Sequence, residues 1–516
     1  MPEVEPTDLL VLGDVRQVQA YVLETPYLAQ MRGASRLLEK LDAKVEAEVD
    51  RLGDAGARIE IGAGGTYRIR VRDRELGLAL MDRMVEHFRE LTGLPPDRFA
   101  TVLAQRGSHS GPTAYERLAE VKAGAGSLLA SGHGLMEPCG FCGLRPAEQM
   151  VRRAKGSDAS EPVASCGVCC LRLRGGRGTG RSDATKNIWE LLGWTDEWLD
   201  RIGTDITAFA TSGARPPGYV GVLVADGDSM GELFREAAAR GKGEDSELSR
   251  ALRSAVEKAA VRAADAASSP GESRPGIMPQ WVAADDAVLV VQPQYALRAA
   301  LTFCETFSSE MSNFLEGRAR PTMSAGLVIA HASHPMSALR HLGHELLGLA
   351  KAQARKWAAR SGTDRYGGVA FRLVHSSVAP RLDGPGMTAC RAYPVTGEGI
   401  RLASGAWDLR RLLDAADRLV ELGAPRGYVR SFELSRAEGD GPAAKRKLRR
   451  EDVLREEEVR ALLEASRDAG GMSSLADLKV AFELARAAAT QSGQAPEHSG
   501  DSVPRAGTRQ AGAGER

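Results

Sequence analysis

Two apolar segments that each run straight into acidic residues constrain this chain most. Tyr219 to Ala225 is almost wholly apolar, as a strand covered on both faces must be, and it ends in Asp226-Gly227-Asp228-Ser229-Met230-Gly231-Glu232. Gln280 to Gln292 reads as a hairpin turning at Ala284-Asp285, so Val282-Ala283-Ala284 leads into Asp285-Asp286. As antiparallel neighbours, these strands place four carboxylates on one edge of a sheet. Four acids behind buried strands repel one another unless a cation sits among them, which argues against a pair of ordinary exposed turns. Oxygen ligands in this pattern suit a hard divalent cation, Mg²⁺ or Mn²⁺, with open positions for triphosphate oxygens and an attacking hydroxyl. Two such ions about 4 Å apart would stabilise the incoming and leaving oxygens of an in-line phosphoryl transfer. Asp226, Asp285 and Asp286 are therefore the candidate metal-binding and catalytic residues, with Asp228 adjacent. Ser229 opens a helix whose free N–H groups point where phosphates would lie. Lys351 is expected to reach the same edge from a later helix as a phosphate contact, although an exposed helical lysine taken alone is a solvated one.

The surrounding pattern is α+β. After Asp226-Gly227-Asp228 come a helix, a polar stretch and a second helix to about Ala267, then the hairpin, a helix Tyr295 to Gly317 and a strand Thr322 to His331. A helix Ser337 to Arg360 and a strand Gly367 to His375 finish the unit, giving the order of a polymerase or nucleotide-cyclase palm. The first part begins alike, with a strand Asp8 to Val11, helices Val15 to Glu24 and Gly33 to Leu52, two strands across Arg58 to Val71 and a helix Glu75 to Thr92. An internal duplication follows, with Leu9 to Gln19 matching Val222 to Glu232 and Ile59 to Val71 matching Gln280 to Gln292, only the second copy keeping its acids. The expectation is two ferredoxin-like palm domains, a zinc-ribbon insertion and helical domains. The boundaries read as a first, inactive palm at 1–135, a zinc-binding module at 136–180, a helical linker at 181–215 and a second palm at 216–378. A C-terminal helical domain at 379–490 follows, with helices Trp407 to Leu422, Arg450 to Ala469 and Ser474 to Thr490, then a disordered tail at 491–516.

The cysteines supply the insertion. Cys139-x2-Cys142 and Cys166-x2-Cys169 have the spacing of a four-thiolate zinc ribbon; an iron–sulfur cluster or a redox thiol pair is the alternative, and Cys170 permits a slip of one ligand. Cys304 and Cys390 read as core residues, and the histidines His331, His334, His341 and His344 as core or surface. In Met31-Arg32-Gly33-Ala34-Ser35, Gly33 permits close approach and Ser35 caps a helix start, unless this is an ordinary helix entry. Lys plus Arg equals Asp plus Glu at 68 each, so a uniform polyanion-binding surface is not indicated, and the basic clusters Arg172 to Arg181 and Lys445 to Arg450 suit RNA or protein alike. No run approaches the ~20 apolar residues that cross a bilayer, and Met1 to Thr7 is unlike an export signal, so the expected location is the cytoplasm, with no membrane partner.

In their order, Gly13-Asp14-Val15-Arg16-Gln17-Val18-Gln19, the Met31 to Leu38 segment, the double CxxC, Val224 to Gly231, Ala284-Asp285-Asp286 and Ser324 to His331 resemble the large subunit of type III CRISPR RNA-guided effector complexes, a family that shares its palm with GGDEF cyclases. The set spans about residues 8 to 375. The resemblance implies an inactive first palm, an active second palm and a C-terminal helical domain that docks small subunits, with guide RNA and target RNA as partners through the complex. It also implies that paired target RNA switches on conversion of ATP to cyclic oligoadenylates. Carried over, Asp226, Asp285 and Asp286 hold the metals, while Arg32 and Ser35 line the groove where two ATP molecules meet.

Two departures matter. The family's Gly-Gly-Asp-Asp turn reads Ala283-Ala284-Asp285-Asp286 here, and each added methyl crowds a nucleotide and strains a turn built for glycine. Relatives often begin with an HD nuclease; this chain has no His-Asp dipeptide, so HD-type DNA cleavage is not expected. The readings kept open are an RNA-activated oligoadenylate synthase, a scaffold that has lost synthesis, and a free-standing nucleotide cyclase.

Overall fold

The computed structural model describes residues 9–25, 27–53, 56–105, 114–124, 136–152, 162–175, 188–194, 206–211, 214–240, 244–268, 276–283, 285–316, 321–361, 366–374, 392–395, 407–424 and 453–491. The architecture is the expected α+β one, with two sheets, a small cysteine-bearing hairpin between them and helices following. Of the tail expected at 491–516, Gln491 ends the last helix and residues 492–516 lie outside the described residues, as do the basic cluster Lys445 to Arg450 and Cys390.

The first sheet holds β1 (Leu9–Val15), β2 (Ala57–Ala63), β3 (Thr66–Val71) and β4 (Phe99–Gln105) in the order β2-β3-β1-β4, every neighbour antiparallel. With α1 (Val18–Leu23), α2 (Leu28–Arg51), α3 (Arg74–Thr92) and α4 (Ala114–Gly124) this is a ferredoxin-like unit. β4 and α4 were not legible in the sequence. α2 starts at Leu28 rather than Gly33, with Tyr27 as its N-terminal flank, so Ser35 lies inside the helix and does not cap it. Gly33 does mark a close approach: a Cβ on Gly175 would stand 3.1 Å from its carbonyl oxygen.

Between the sheets lie β5 (Gln149–Val151), β6 (Val163–Ser165), α5 (Gly167–Gly175), α6 (Ile188–Leu191) and α7 (Ile206–Thr211). Trp194, fully buried, donates its indole N–H to the Ile277 carbonyl at 2.7 Å and so fastens this segment to the second sheet.

The second sheet holds β7 (Tyr219–Gly227), β8 (Ile277–Ala283), β9 (Asp286–Val291), β10 (Met323–His331), β11 (Gly367–Leu373) and β12 (Ala392–Val395), in the order β12-β11-β10-β7-β9-β8. Its helices are α8 (Met230–Arg240), α9 (Glu244–Ala266), α10 (Ala296–Phe314) and α11 (Met336–Ser361). β8-β9-β7-β10 repeats the order of the first sheet, β11 adds in parallel to β10, and β12 adds a strand beyond the boundary expected at 378. β7 is apolar up to Ala225 because helices cover both faces. A Cβ on Gly221 would meet Ala296 of α10, whereas Val224, of the opposite parity, meets Gly343 of α11. α11 rides very low here: a Cβ on Gly326 would lie 2.1 Å from the Gly343 carbonyl oxygen.

The ladders set the register of the duplication. Leu9 pairs with Val71, and Gly221 with Val291. Both outer hairpins shift register once, between Ile59 and Ile61 and between Pro279 and Trp281. Leu9 therefore corresponds to Gly221, and Ile59 to Pro279, one residue earlier than the sequence comparison gives. A slip of one is invisible in uniformly apolar runs, yet it exchanges the faces of a strand.

After β12 come α12 (Leu409–Glu421) and α13 (Val453–Gln491). The two helices expected at Arg450 to Ala469 and Ser474 to Thr490 are one, running through Gly470-Gly471. The glycine pair costs about 2 kcal/mol of helix propensity. Packing offsets it, since Leu463, Leu478 and Phe482 on either side are fully buried. α12 is tied to α10 by Arg298–Asp417 at 2.7 Å and Arg410–Glu305 at 2.6 Å.

Candidate active site and cysteine centre

β7 and β9 end side by side, and Asp226 is the direct ladder partner of Asp286. Asp285 precedes β9 in the turn, and the Gly227 N–H donates to its carbonyl at 3.1 Å, which pins the turn to the end of β7. Carboxylate oxygens of Asp226, Asp285 and Asp286 all lie within 4.8 Å of one another. Three half-buried carboxylates at this spacing are an oxygen donor set for a divalent cation, and the donor chemistry fits Mg²⁺ or Mn²⁺. Burial, then the Asp286 charge, pushes the Asp285 carboxyl up to about 6, the cost that a bound cation would relieve.

The fourth expected acid stands apart from this group. The Asp228 carboxylate accepts hydrogen bonds from Thr322 Oγ1 at 2.9 Å and Ser324 Oγ at 2.8 Å, and its N–H donates to the Thr322 carbonyl at 2.8 Å. Burial holds its carboxyl up at about 6. Its position joins the start of α8 to β10. Ser229 has φ 58°, a left-handed turn just before α8, and is exposed.

Lys351 comes to the acid edge from α11. Its ammonium forms an ion pair with Asp226 and donates to the Gly227 carbonyl at 3.1 Å. Burial, then the Arg355 charge, lowers its pKa to about 8. Arg32 and Ser35 are buried on α2, which touches β8, the strand leading into the Asp285 turn.

The first sheet shows what this site looks like without two of its three acids. Asp14 occupies the place of Asp226, Thr66 that of Asp286 and Gly65 that of Asp285. The expectation that only the second copy kept acids is therefore corrected: Asp14 is retained, and it pairs with Lys122 of α4 as Asp226 does with Lys351. The turns differ by an exchange of bulk. A Cβ on Gly227 would crowd Met230 at 2.6 Å and the Cβ of Asp285 at 3.1 Å, whereas a Cβ on Gly65 would meet Val15 Cγ2 at 2.9 Å. The site needs a bare backbone at Gly227 to admit the Asp285 side chain, a role that sequence reading passed over although the glycine stood in the motif.

The four expected cysteines also converge, with the sulfurs of Cys139, Cys142, Cys166 and Cys169 within 4.8 Å of one another. The other three thiols hydrogen-bond to Cys139 and pull its pKa down. Four thiolate donors on two tight turns suit tetrahedral zinc. Cys170 is turned away, donating to Ser165 Oγ at 3.2 Å, so the ligand slip is not seen. Beside the centre, Glu24 accepts from Arg145 at 2.8 Å on both oxygens and from Arg172 at 2.7 Å. Arg145 also reaches Cys142 Sγ at 3.8 Å, and the fully buried Arg172 guanidinium lies 4.2 Å from the Tyr21 ring centroid. The centre is thus joined through Glu24 to the end of α1.

Residues 219–359 match the family model of the Cas10/Cmr2 second palm domain. Comparison with curated proteins gave no match. Among solved structures, the chain is 15% identical to a chain of a Csm1–Csm4 cassette in complex with cA4, with 93% of this chain and 70% of that one covered and a TM-score of 0.49. For a cassette in complex with AMPPNP the values are 17%, 93%, 70% and 0.49. For the Csm1–Csm4 subcomplex of the type III-A CRISPR-Csm interference complex they are 17%, 89%, 70% and 0.43. Over residues 219–359 the chain is thus similar to the Cas10/Cmr2 second palm domain, in keeping with the resemblance read from the sequence.

Proposed function

We propose that the second palm converts ATP to cyclic oligoadenylate when target RNA pairs with the guide RNA held by the other subunits of a cytoplasmic type III complex. The observation that supports this reading is the convergence of Asp226, Asp285 and Asp286 within 4.8 Å at one end of a buried sheet. When bound there, Mg²⁺ or Mn²⁺ supplies charge stabilisation to phosphoryl transfer. Asp226 and Asp286 hold the donor oxygens from facing strands, and Asp285 holds the third from the turn. Lys351, still mostly protonated at neutral pH, balances Asp226 and presents a cation to phosphate oxygens at the same edge. Asp228 acts by position, holding the start of α8 against β10 through Thr322 and Ser324. Arg32 and Ser35, on the helix against β8, face the second ATP.

The purified complex, given ATP, Mn²⁺ and guide-matched RNA, is expected to release cyclic oligoadenylate, and Asp285→Ala with Asp286→Ala to abolish it. Absence of product with every divalent metal, unaltered by the double substitution, would overturn the reading in favour of a scaffold. The observation that favours that second reading is the turn sequence: Ala283 stands where the first unit has Ala63, but Ala284 replaces a glycine, Gly64, with φ 64°.

A further inference from the structure

The two units treat the same strand edge differently. In the second sheet β11 runs parallel beside β10, with Ala325 to Ile329 facing Val369 to Leu373, and Val369, Ala370 and Phe371 are buried there. Leu9 pairs with Gln105 as Gly221 pairs with Ile329, so Thr101 to Gln105 of β4 are the counterparts of the residues that β11 takes up. β4 closes the first sheet, and among the described residues no strand pairs with its outer edge. The usual protections of an edge are missing from it. Phe99 to Gln105 contains no charge, proline or glycine, and its ladder with β1 runs without a bulge.

The helices on the two faces of the first sheet leave apolar side chains beside this edge. α3 turns one side to α2, where Glu90 pairs with Lys44 at 3.0 Å and His87 stands close to Glu90. Helical spacing puts Leu78, Met81 and Val85 on the opposite side, over the β4 edge, and Leu78 is 43% exposed. On the other face, Arg68 of β3 donates to the Tyr115 hydroxyl at 3.1 Å. The side of α4 that carries Arg117 and Val121 is thereby turned away from β3 and toward the same edge, with Val121 46% exposed. Arg89 and Arg117, both exposed, border the two flanks.

An unpaired backbone edge between two apolar flanks has the shape of a strand. We propose that the outer edge of β4 docks an extended segment of another protein subunit, which adds to the first sheet as β11 adds to the second. The occupant is an apolar strand bordered by acidic residues. Its backbone completes the ladder, its side chains alternate between the Leu78 and Val121 flanks, and its acids meet Arg89 and Arg117. Residues 125–135 follow α4 as β11 follows α11 and are the competing occupant, yet they hold three glycines, two serines and no β-branched residue, a composition poor in strand formers. From the functional reading this takes only that the chain works within a complex, and nothing of the acid site.

Hydrogen exchange read by mass spectrometry on the full chain, alone and in the assembled complex, tests it. In the free chain, Thr101 to Gln105 should exchange faster than Ala325 to Ile329, and in the complex they should slow at least ~tenfold. Leu78→Glu with Val121→Glu, both at exposed positions, should cancel the slowing and leave the melting temperature of the free chain unchanged. Arg89→Glu with Arg117→Glu should cancel most of it. Leu144→Glu, at an exposed apolar residue of the cysteine module, should keep it. Slow exchange in the free chain at every concentration would assign the edge to residues 125–135, and slowing only as the free chain is concentrated would assign it to a second copy. Fast exchange within an assembled complex would leave the edge uncovered. Each of these three overturns the docking edge and leaves oligoadenylate synthesis by the same complex untouched, whereas failure of the wild type to enter any complex would remove both readings.

Discussion

Lys351 forms an ion pair with Asp226, and the equivalent pair in the first unit is Lys122 with Asp14. The pair has outlasted the loss of the other two acids, so by itself it is a fastening between helix and sheet. Only in the second unit does it stand beside Asp285 and Asp286. Asp226→Asn should lower oligoadenylate formation at least ~100-fold, the scale for removing an electrostatic group from a phosphoryl-transfer site. Asp14→Asn should leave the rate within about threefold. Product chromatography on the two variants checks this, and equal losses would contradict it.

The alanines of the acid turn are expected to slow synthesis without changing its requirement for metal. Among the described residues only Gln17, Ser229 and Glu316 combine a side chain with positive φ, so Asp285 itself sits in ordinary backbone. Replacing Ala283 and Ala284 together by glycine should raise the rate several-fold, about 1 kcal/mol of relieved crowding. A rate unchanged or lower in the double variant would assign the alanines no inhibitory part.

Removing Glu24 should loosen the cysteine centre. Glu24→Gln leaves Arg172, with 0% side-chain exposure, facing no carboxylate. Breaking such a pair costs about 3 kcal/mol. The expected readouts are a lower melting temperature and faster zinc release to a chromogenic chelator, whereas chelation of the wild type should destabilise the first half and spare the second sheet. Zinc retained at the wild-type rate would contradict the coupling.

Glu39 on α2 is pushed up to about 7, by burial first, although the Arg36 charge opposes it. Because the folded value lies above the ordinary carboxylate one, its contribution is complete below about pH 4.5 and is lost as pH rises through 7. Glu39→Gln should therefore stabilise the chain by about 2 kcal/mol at pH 8 and by almost nothing at pH 4.5, a figure discounted for its partial exposure. Melting curves at the two pH values decide it.

The acids and the paired cysteines were legible because each follows a pattern with one physical purpose: strand ends that stop at Asp226 and Asp286, and knuckles spaced for a tetrahedral ion. What escaped depended on partners far along the chain. The sequence of β4 does not announce its place beside β1, and Gly470-Gly471 reads as a break until the burial of Leu463 and Phe482 is known. Asp228 looked like a fourth ligand because it follows Asp226 by two, yet the hydroxyls of Thr322 and Ser324, about a hundred residues on, hold it elsewhere. His344 read as a core or surface histidine because nothing local relates it to Asp286.

The exchange between Gly227 with Asp285 and Val15 with Gly65 makes the difference between the two turns hard to undo. Converting Gly65 to aspartate while Val15 remains puts two branched groups in one space, and trimming Val15 first opens a gap with nothing to fill it. Either single step is penalised before the paired change brings any gain. A lineage that carries valine and glycine at these two places is held to them by sterics.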